Sequence, residues 1–200
     1  MVDIYLRNAV AIGDRIYLRL LEPEDAEAIS SANHLEPEIE FSDDGRVPST
    51  SLAFVRWIER MQEPAIPSEL AFAICRIEDG QCIGSTMIRD IDWVHRTGET
   101  GTGLLNAEDR GLGLGPEAKH LLLRNCFHNL GLHAIRSMVF SANARSVAAL
   151  GKQGYRFAGK LTAFIHKGGA YRDDFVFDLL RPEWEAAHAA WQAARGSDQD

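Results

Sequence analysis

Apolar and polar side chains alternate along Arg15-Ile16-Tyr17-Leu18-Arg19-Leu20, the period of a β-strand. Glu22-Pro23-Glu24-Asp25 then opens an alanine-rich helix whose acidic residues fall in the first turn, where the helix dipole favours negative charge. From Asn33 to Thr50 the chain turns polar and acidic and is broken by Pro37, Gly45 and Pro48, so a long loop leads to the next helix. Phe54, Val55, Trp57, Ile58 and Met61 mark the apolar face of that second helix. Residues 70–77 and 82–93 are β-rich and meet at Asp79-Gly80, a pair suited to the positive φ angles of a tight hairpin turn. A strand over 99–105 returns after a turn near Arg96-Thr97. Three consecutive antiparallel strands therefore occupy the middle of the chain.

Beyond them, residues 116–130 carry apolar positions at Ala118, Leu121, Leu122, Cys126 and Phe127, and Gly131 stands where a helix C-terminal glycine belongs. Residues 133–140 read as a strand and Asn143 to Lys152 as a short helix capped by Asn143. Residues 155–165 and 171–180 read as strands around Lys167-Gly168-Gly169. Trp184, Ala187, His188 and Trp191 share one face of a final helix, a spacing that fits packing onto the domain better than a partner interface. The expected architecture is mixed α+β in a single domain over residues 1–195, with 196–200 as a frayed tail.

Composition narrows the function classes. With 200 residues, 46% hydrophobic and 25% charged, the chain has material for one core. It holds no run of eighteen apolar residues, and Met1-Val2-Asp3-Ile4 lacks a basic-then-apolar leader, so a cytoplasmic protein without membrane contact is expected. A formal net charge of -8 argues against a nucleic-acid surface, which needs a basic stripe, and suits a cationic substrate. Cys75, Cys82 and Cys126 form no CxxC and read as reduced structural thiols. The histidines show no HExxH pattern, so no metal is expected.

The strongest chemical signal is Arg110-Gly111-Leu112-Gly113-Leu114-Gly115-Pro116, between the third central strand and the strongest helix. Its glycines let an anion reach the backbone, and the free amides of the first helical turn point with the dipole at the same space. Pro116 suits a first helical position. A P-loop would need Lys-Ser or Lys-Thr after the last glycine, where Pro116-Glu117 stands. Gly113-x-Gly115-x-x-Ala118 matches a dinucleotide fingerprint literally, but no acidic residue follows about twenty positions on.

Arg110-x-x-Gly113-x-Gly115 resembles the coenzyme A signature of the GNAT N-acetyltransferase superfamily. Asn143-Ala-Arg-Ser146 through Gly154-Tyr155 resembles a second segment of that family. Leu18-Arg19-Leu20-Leu21-x-Pro23-x-Asp25-Ala26 and residues 173–184 resemble its ribosomal-protein-acetylating and spermidine-acetylating branch. The resemblance covers residues 9–185. It implies a three-layer αβα fold whose twisted, mostly antiparallel sheet splays between its fourth and fifth strands, counted from the strand at Arg15. Acetyl-CoA is the implied donor. Gly103, Leu104 and Leu105 would offer the backbone edge for pantetheine. Gly111, Leu112, Gly113, Leu114, Gly115 and Pro116 would surround the pyrophosphate with Arg110, and Asn143 would either bond to pantetheine or simply cap its helix.

Acetyl transfer to an amine that is protonated at neutral pH needs a proton acceptor and an oxyanion donor. Glu99, eleven residues before Arg110, matches the position of a family glutamate base, and an apolar setting would raise its pKa; an exposed strand-end carboxylate is the alternative. The amide of Leu104 or Leu105 is the expected oxyanion donor. Many family members carry a tyrosine acid seven residues after the Asn143 position, where this chain has Leu150, so Ser146 is the expected replacement. His34, Glu36 and Glu40 in the loop between the first two helices, and the hairpin at Lys167-Gly168-Gly169, are the expected acceptor surfaces. The acceptor is a small-molecule amine or a protein N-terminus. A homodimer fits the branch. A non-catalytic acyl-CoA sensor is the competing function, motivated by Leu150.

Overall fold

A computed structural model describes residues 6–35, 50–167 and 169–196. An eight-stranded sheet runs in the order β1-β2-β3-β4-β5-β6-β8-β7. Its strands are β1 (Ala9–Ile12), β2 (Ile16–Leu20), β3 (Leu70–Arg76), β4 (Cys82–Asp92), β5 (Thr97–Leu104), β6 (Ala134–Phe140), β7 (Arg156–Lys167) and β8 (Ala170–Leu180). Neighbours are antiparallel except β5 and β6, which are parallel. A parallel pair needs a long crossover, and the segment holding helix α3 (Leu114–Arg124) supplies it. The other helices are α1 (Ala26–Leu35), α2 (Ser51–Gln62), α4 (Ala144–Lys152) and α5 (Arg181–Gly196). Among the described residues no helix is long and apolar enough to cross a membrane.

Strand periodicity divides the core in two. Ile16 and Leu18 of β2 join Phe72 and Ile74 of β3 in a cluster with Ala118 and Leu122 of α3 and Trp184 of α5. Tyr17, Ala71, Ala73 and Cys75 point to the other face, against Ala26 and Ile29 of α1 and Ile58 and Met61 of α2. The result is the expected three-layer αβα arrangement. Trp184 is fully buried, its ring 5.5 Å from Phe127 and 5.2 Å from His128, so the final helix packs onto the sheet layer as its spacing implied.

Four local details add to or depart from the sequence reading. Ala9–Ile12 forms an edge strand, unread in the sequence because it is only four residues long and buries only Ala11. Helix α3 starts at Leu114 rather than at Pro116, which makes Pro116 its third residue. Its end widens into a π turn over Asn125–Asn129, with Leu130 N–H donating to the Asn125 carbonyl at 3.0 Å. Asp25, read as a helix-dipole residue, is also buried: its two oxygens accept from Arg19 Nη1 and Nη2 at 2.7 Å each, tying the start of α1 to β2.

Candidate active site

β5 and β6 pair only at Thr97↔Ala134, Gly98↔Ile135 and Glu99↔Arg136. Beyond these β5 runs on to Leu104 against β4, while β6 runs on to Phe140 against β8. The parallel ladder therefore opens into a cleft. Counted from β2, these are the fourth and fifth strands, where the splay was expected.

Which backbone groups face the cleft follows from the β4–β5 register. Leu105 N–H donates to the Ile83 carbonyl at 2.9 Å, so the polar groups of Leu105 face β4. Alternation then turns the polar groups of Gly103 towards β4 as well and turns those of Thr102 and Leu104 into the cleft. Of the three edge residues named from sequence, Leu104 alone aims its amide into the opening, and Thr102 joins it. No sequence signal gives this register, because it is set by pairing with a distant strand.

The glycine-rich loop enters α3 below this edge. Gly111 (φ +82°) and Gly113 (φ +80°) are left-handed, a conformation that side chains rarely adopt. Gly113 is the N-cap of α3, and its carbonyl accepts the first helical bond, from Glu117 N–H at 3.2 Å. The first turn thus directs the amides of Leu114 and Gly115 outward, while Pro116 has no N–H to offer. Arg110 Nη2 donates to the Leu104 carbonyl at 3.3 Å, which links the loop to the β5 edge. Arg15 Nη1 holds the Leu112 carbonyl at 2.8 Å. Buried Glu117 accepts from the Asp14 and Arg15 amides at 2.8 and 2.9 Å, so the β1–β2 turn braces the loop. A Cβ placed on Gly111 or Gly103 would meet nothing within 4 Å. Open space, outward amides, a helix N-terminus and two bordering guanidinium groups fit a pyrophosphate.

Glu99 lies at the last β5–β6 pair on the face opposite α3. It is 3% exposed, so it is no strand-end surface carboxylate. Its setting is not the expected apolar one either. Oε1 accepts from Nε of Arg89 at 2.9 Å and from its Nη2 in a shorter contact, and Oε2 accepts from Arg136 Nε at 2.9 Å. Both arginines are half-exposed, and Arg136 also reaches Asp90 at 3.1 Å. The carboxylate therefore clamps β4, β5 and β6 together at the closed end of the cleft. Neither arginine is legible from the residues around Glu99, since they lie ten and thirty-seven residues away.

Helix α4 starts where the β6 arm of the cleft ends. Asn143 is its N-cap, accepting from Ser146 N–H at 3.0 Å, so its Oδ1 has a structural use and its amide nitrogen is what remains for a ligand. Ser146 is half-buried in the first turn. Leu150 belongs to the core at 5% exposure and carries no acidic hydrogen, so it supplies no general acid. A tyrosine is nevertheless present nearby: Tyr155, buried, places its OH 2.8 Å from Thr100 Oγ1, beside the last β5–β6 pair. On the acceptor side, His34 falls in the last turn of α1, while its side chain, Glu36 and Glu40 lie outside the described residues.

An open strand edge leading away from a helix N-terminus with outward amides suits an extended, phosphate-bearing ligand. Residues 15–156 match the Acetyltransferase (GNAT) domain model, and the chain belongs to that family. It is an N-acetyltransferase with acetyl-CoA as donor. It is 30% identical over 178 residues to the SPbeta prophage-derived N-acetyltransferase YokL of Bacillus subtilis, a match covering 88% of this chain and 96% of the relative. Among solved structures, RimJ of Mycobacterium smegmatis in complex with CoA-disulfide is similar at 27% identity and a TM-score of 0.75, covering 90% of each chain. The spermidine N-acetyltransferase of Vibrio cholerae in complex with CoA and spermine shares the fold at 20% identity and a TM-score of 0.77, over 86% of this chain and 99% of that one.

Proposed function

We propose that the chain transfers acetyl directly from acetyl-CoA to a primary amine that enters from the face of the sheet opposite α3. The acceptor class is a protein N-terminus, a polyamine or a small metabolite amine. The carrying observation is the position of Glu99: its carboxylate closes the cleft on the face opposite the helix whose N-terminus suits the pyrophosphate. Donor and acceptor then approach one point from opposite sides, which suits a ternary complex without an acyl-enzyme.

When bound, acetyl-CoA supplies an activated thioester. The amides of Gly113, Leu114 and Gly115 and the Arg110 guanidinium would hold its pyrophosphate, and the cleft-facing groups of Thr102 and Leu104 would align its pantetheine arm. A cleft-facing amide of β5 would donate to the carbonyl oxygen as negative charge builds there. Glu99 takes the proton of the incoming ammonium, directly or through water, while Arg89 and Arg136 keep the carboxylate aimed. Ser146 donates towards the departing thiolate, and Asn143 orients that first turn of α4.

Glu99→Gln should leave acetyl-CoA affinity near wild type and lower kcat by roughly a hundredfold, with an altered pH profile. Wild-type rates at every pH would remove Glu99 from the chemistry. Ser146→Ala should give a smaller loss confined to kcat, and an unchanged rate would leave Ser146 as part of the helix start alone. The reading as a whole is tested by incubating the protein and acetyl-CoA with N-terminal peptides, polyamines and amino metabolites and weighing the products. Acetylation of one class is the expected result. Acetyl-CoA binding with hydrolysis alone would favour the non-catalytic module instead.

A further inference from the structure

Lysine is almost never fully buried without a charged partner. Lys119 of α3 is 4% exposed, and among the described residues no carboxylate lies within ion-pair distance of it. Its Nζ donates to Thr100 Oγ1 at 2.7 Å and sits 5.5 Å from the centre of the Tyr155 ring. Thr100 follows the last β5–β6 pair, where a backbone ladder would otherwise continue. Side chains bridge the strands there instead. Ser137 Oγ donates to the Thr100 carbonyl at 3.0 Å, and Thr100 Oγ1 faces the Arg136 carbonyl at 3.5 Å and the Tyr155 hydroxyl at 2.8 Å. Lys119 thus joins four parts of the molecule at the closed end of the cleft: α3, β5, β6 and the residue that leads into β7. The helix that carries it also carries the glycine loop, five residues nearer its N-terminus and so about 7–8 Å away along the axis.

We propose that Lys119 is a positioning residue for acetyl transfer, fixing through Thr100 and Tyr155 the point at which β5 and β6 part and hence where the thioester rests relative to the pyrophosphate. The proposal rests on the acetyltransferase reading above. Lys119 touches neither donor nor acceptor in this account. It acts by holding the hydroxyl pair that ends the ladder, and the mechanism already described makes no use of it. Burial holds its ammonium at about pH 7, well below the ordinary lysine value, with Cys126 and Glu99 pulling weakly the other way. Those two groups and the Tyr155 hydroxyl, whose own pKa burial raises, are the titratable groups facing it. Between pH 7 and its ordinary value of 10.5, the unfolded chain carries a proton on Lys119 that the folded chain lacks, so folding stability from this site rises with pH through that window. Below pH 7 the penalty of the buried charge is fully present.

The test uses the full chain with Lys119→Met, which keeps the length and bulk of the stem, and Thr100→Val, which keeps the branch and removes the hydroxyl. Three properties are read: thermal unfolding from pH 6 to 10, calorimetric affinity for acetyl-CoA, and release of the coenzyme A thiol with the best amine of the acceptor panel. Lys119→Met should melt higher than wild type at pH 6, with the advantage shrinking towards pH 10. It should bind acetyl-CoA within a few-fold of wild type. Its kcat should fall between about ten- and a hundredfold, the scale of a sub-ångström to ångström misplacement, and Thr100→Val should reproduce that loss without adding to it in the double variant. A folded Lys119→Met protein with wild-type kcat would overturn the proposal while leaving the acetyltransferase reading intact. A loss of acetyl-CoA affinity as large as the loss of kcat would overturn it too, by making Lys119 part of binding. A wild-type protein that binds no acetyl-CoA would overturn the acetyltransferase reading itself.

Discussion

Gly113→Glu is expected to weaken acetyl-CoA binding by at least about a hundredfold, on the order of 3 kcal/mol, without unfolding the protein. Two effects add at this residue. Its φ of +80° is a left-handed angle that costs a residue with a Cβ about 1–2 kcal/mol, so the loop must shift or carry strain. The new carboxylate would also stand at the N-cap of α3, among the outward amides, where it would occupy the anion site and repel the pyrophosphate. A Cβ there already approaches Arg15 Nη2 at 3.2 Å, so the substituted side chain would draw Arg15 from the Leu112 carbonyl that it braces. Calorimetry on the variant, with its melting curve as a control for folding, reads the effect. Unchanged affinity in a folded protein would sink the assignment of this loop to the coenzyme.

The largest expected effect on stability is at Asp25. Asp25→Ala leaves the Arg19 guanidinium, 7% exposed, charged and without the carboxylate that both its terminal nitrogens reach. Breaking one side of such a buried pair costs about 3–5 kcal/mol, which for a chain of this size lowers Tm by roughly 10 °C. Asp25 also accepts from Glu22 N–H at 2.9 Å, so the entry to α1 loosens with it. Replacing both partners by apolar residues, Arg19→Met with Asp25→Leu, should recover most of the loss, because the stranded charge disappears. A drop of only a degree or two in the single variant would mean that water reaches Arg19 and that the pair contributes little.

What could be read from the sequence was local. The glycine loop, the cap at Asn143, the hairpin at Asp79-Gly80 and the glycine after Leu130 each depend on residues a few positions apart, and all are in place. Amphipathic spacing likewise foretold the burial of Trp184. What the sequence hid depends on distant partners. Glu99 is adjacent in sequence to Gly98 and Thr100, yet its surroundings are set by Arg89 and Arg136 across two strands. The choice of Thr102 and Leu104 over Gly103 and Leu105 as cleft-facing residues follows from a β4–β5 register that no short pattern encodes. Lys119 reads as one of several polar positions on an amphipathic helix, with Glu117, His120 and Arg124, and only the fold brings Thr100 and Tyr155 to it. Pro116 was displaced by two residues because any of the first helical positions tolerates proline, so its presence marks a helix start without fixing the first residue.

The cleft between β5 and β6, with the glycine loop of α3 beside it, is where the coenzyme is expected to lie. Calorimetric titration of the purified protein with acetyl-CoA, with NAD and ATP as controls, tests it most directly. Selective micromolar binding of acetyl-CoA is the predicted result; no binding, or a preference for NAD or ATP, would contradict the assignment of the cleft and the reaction built on it.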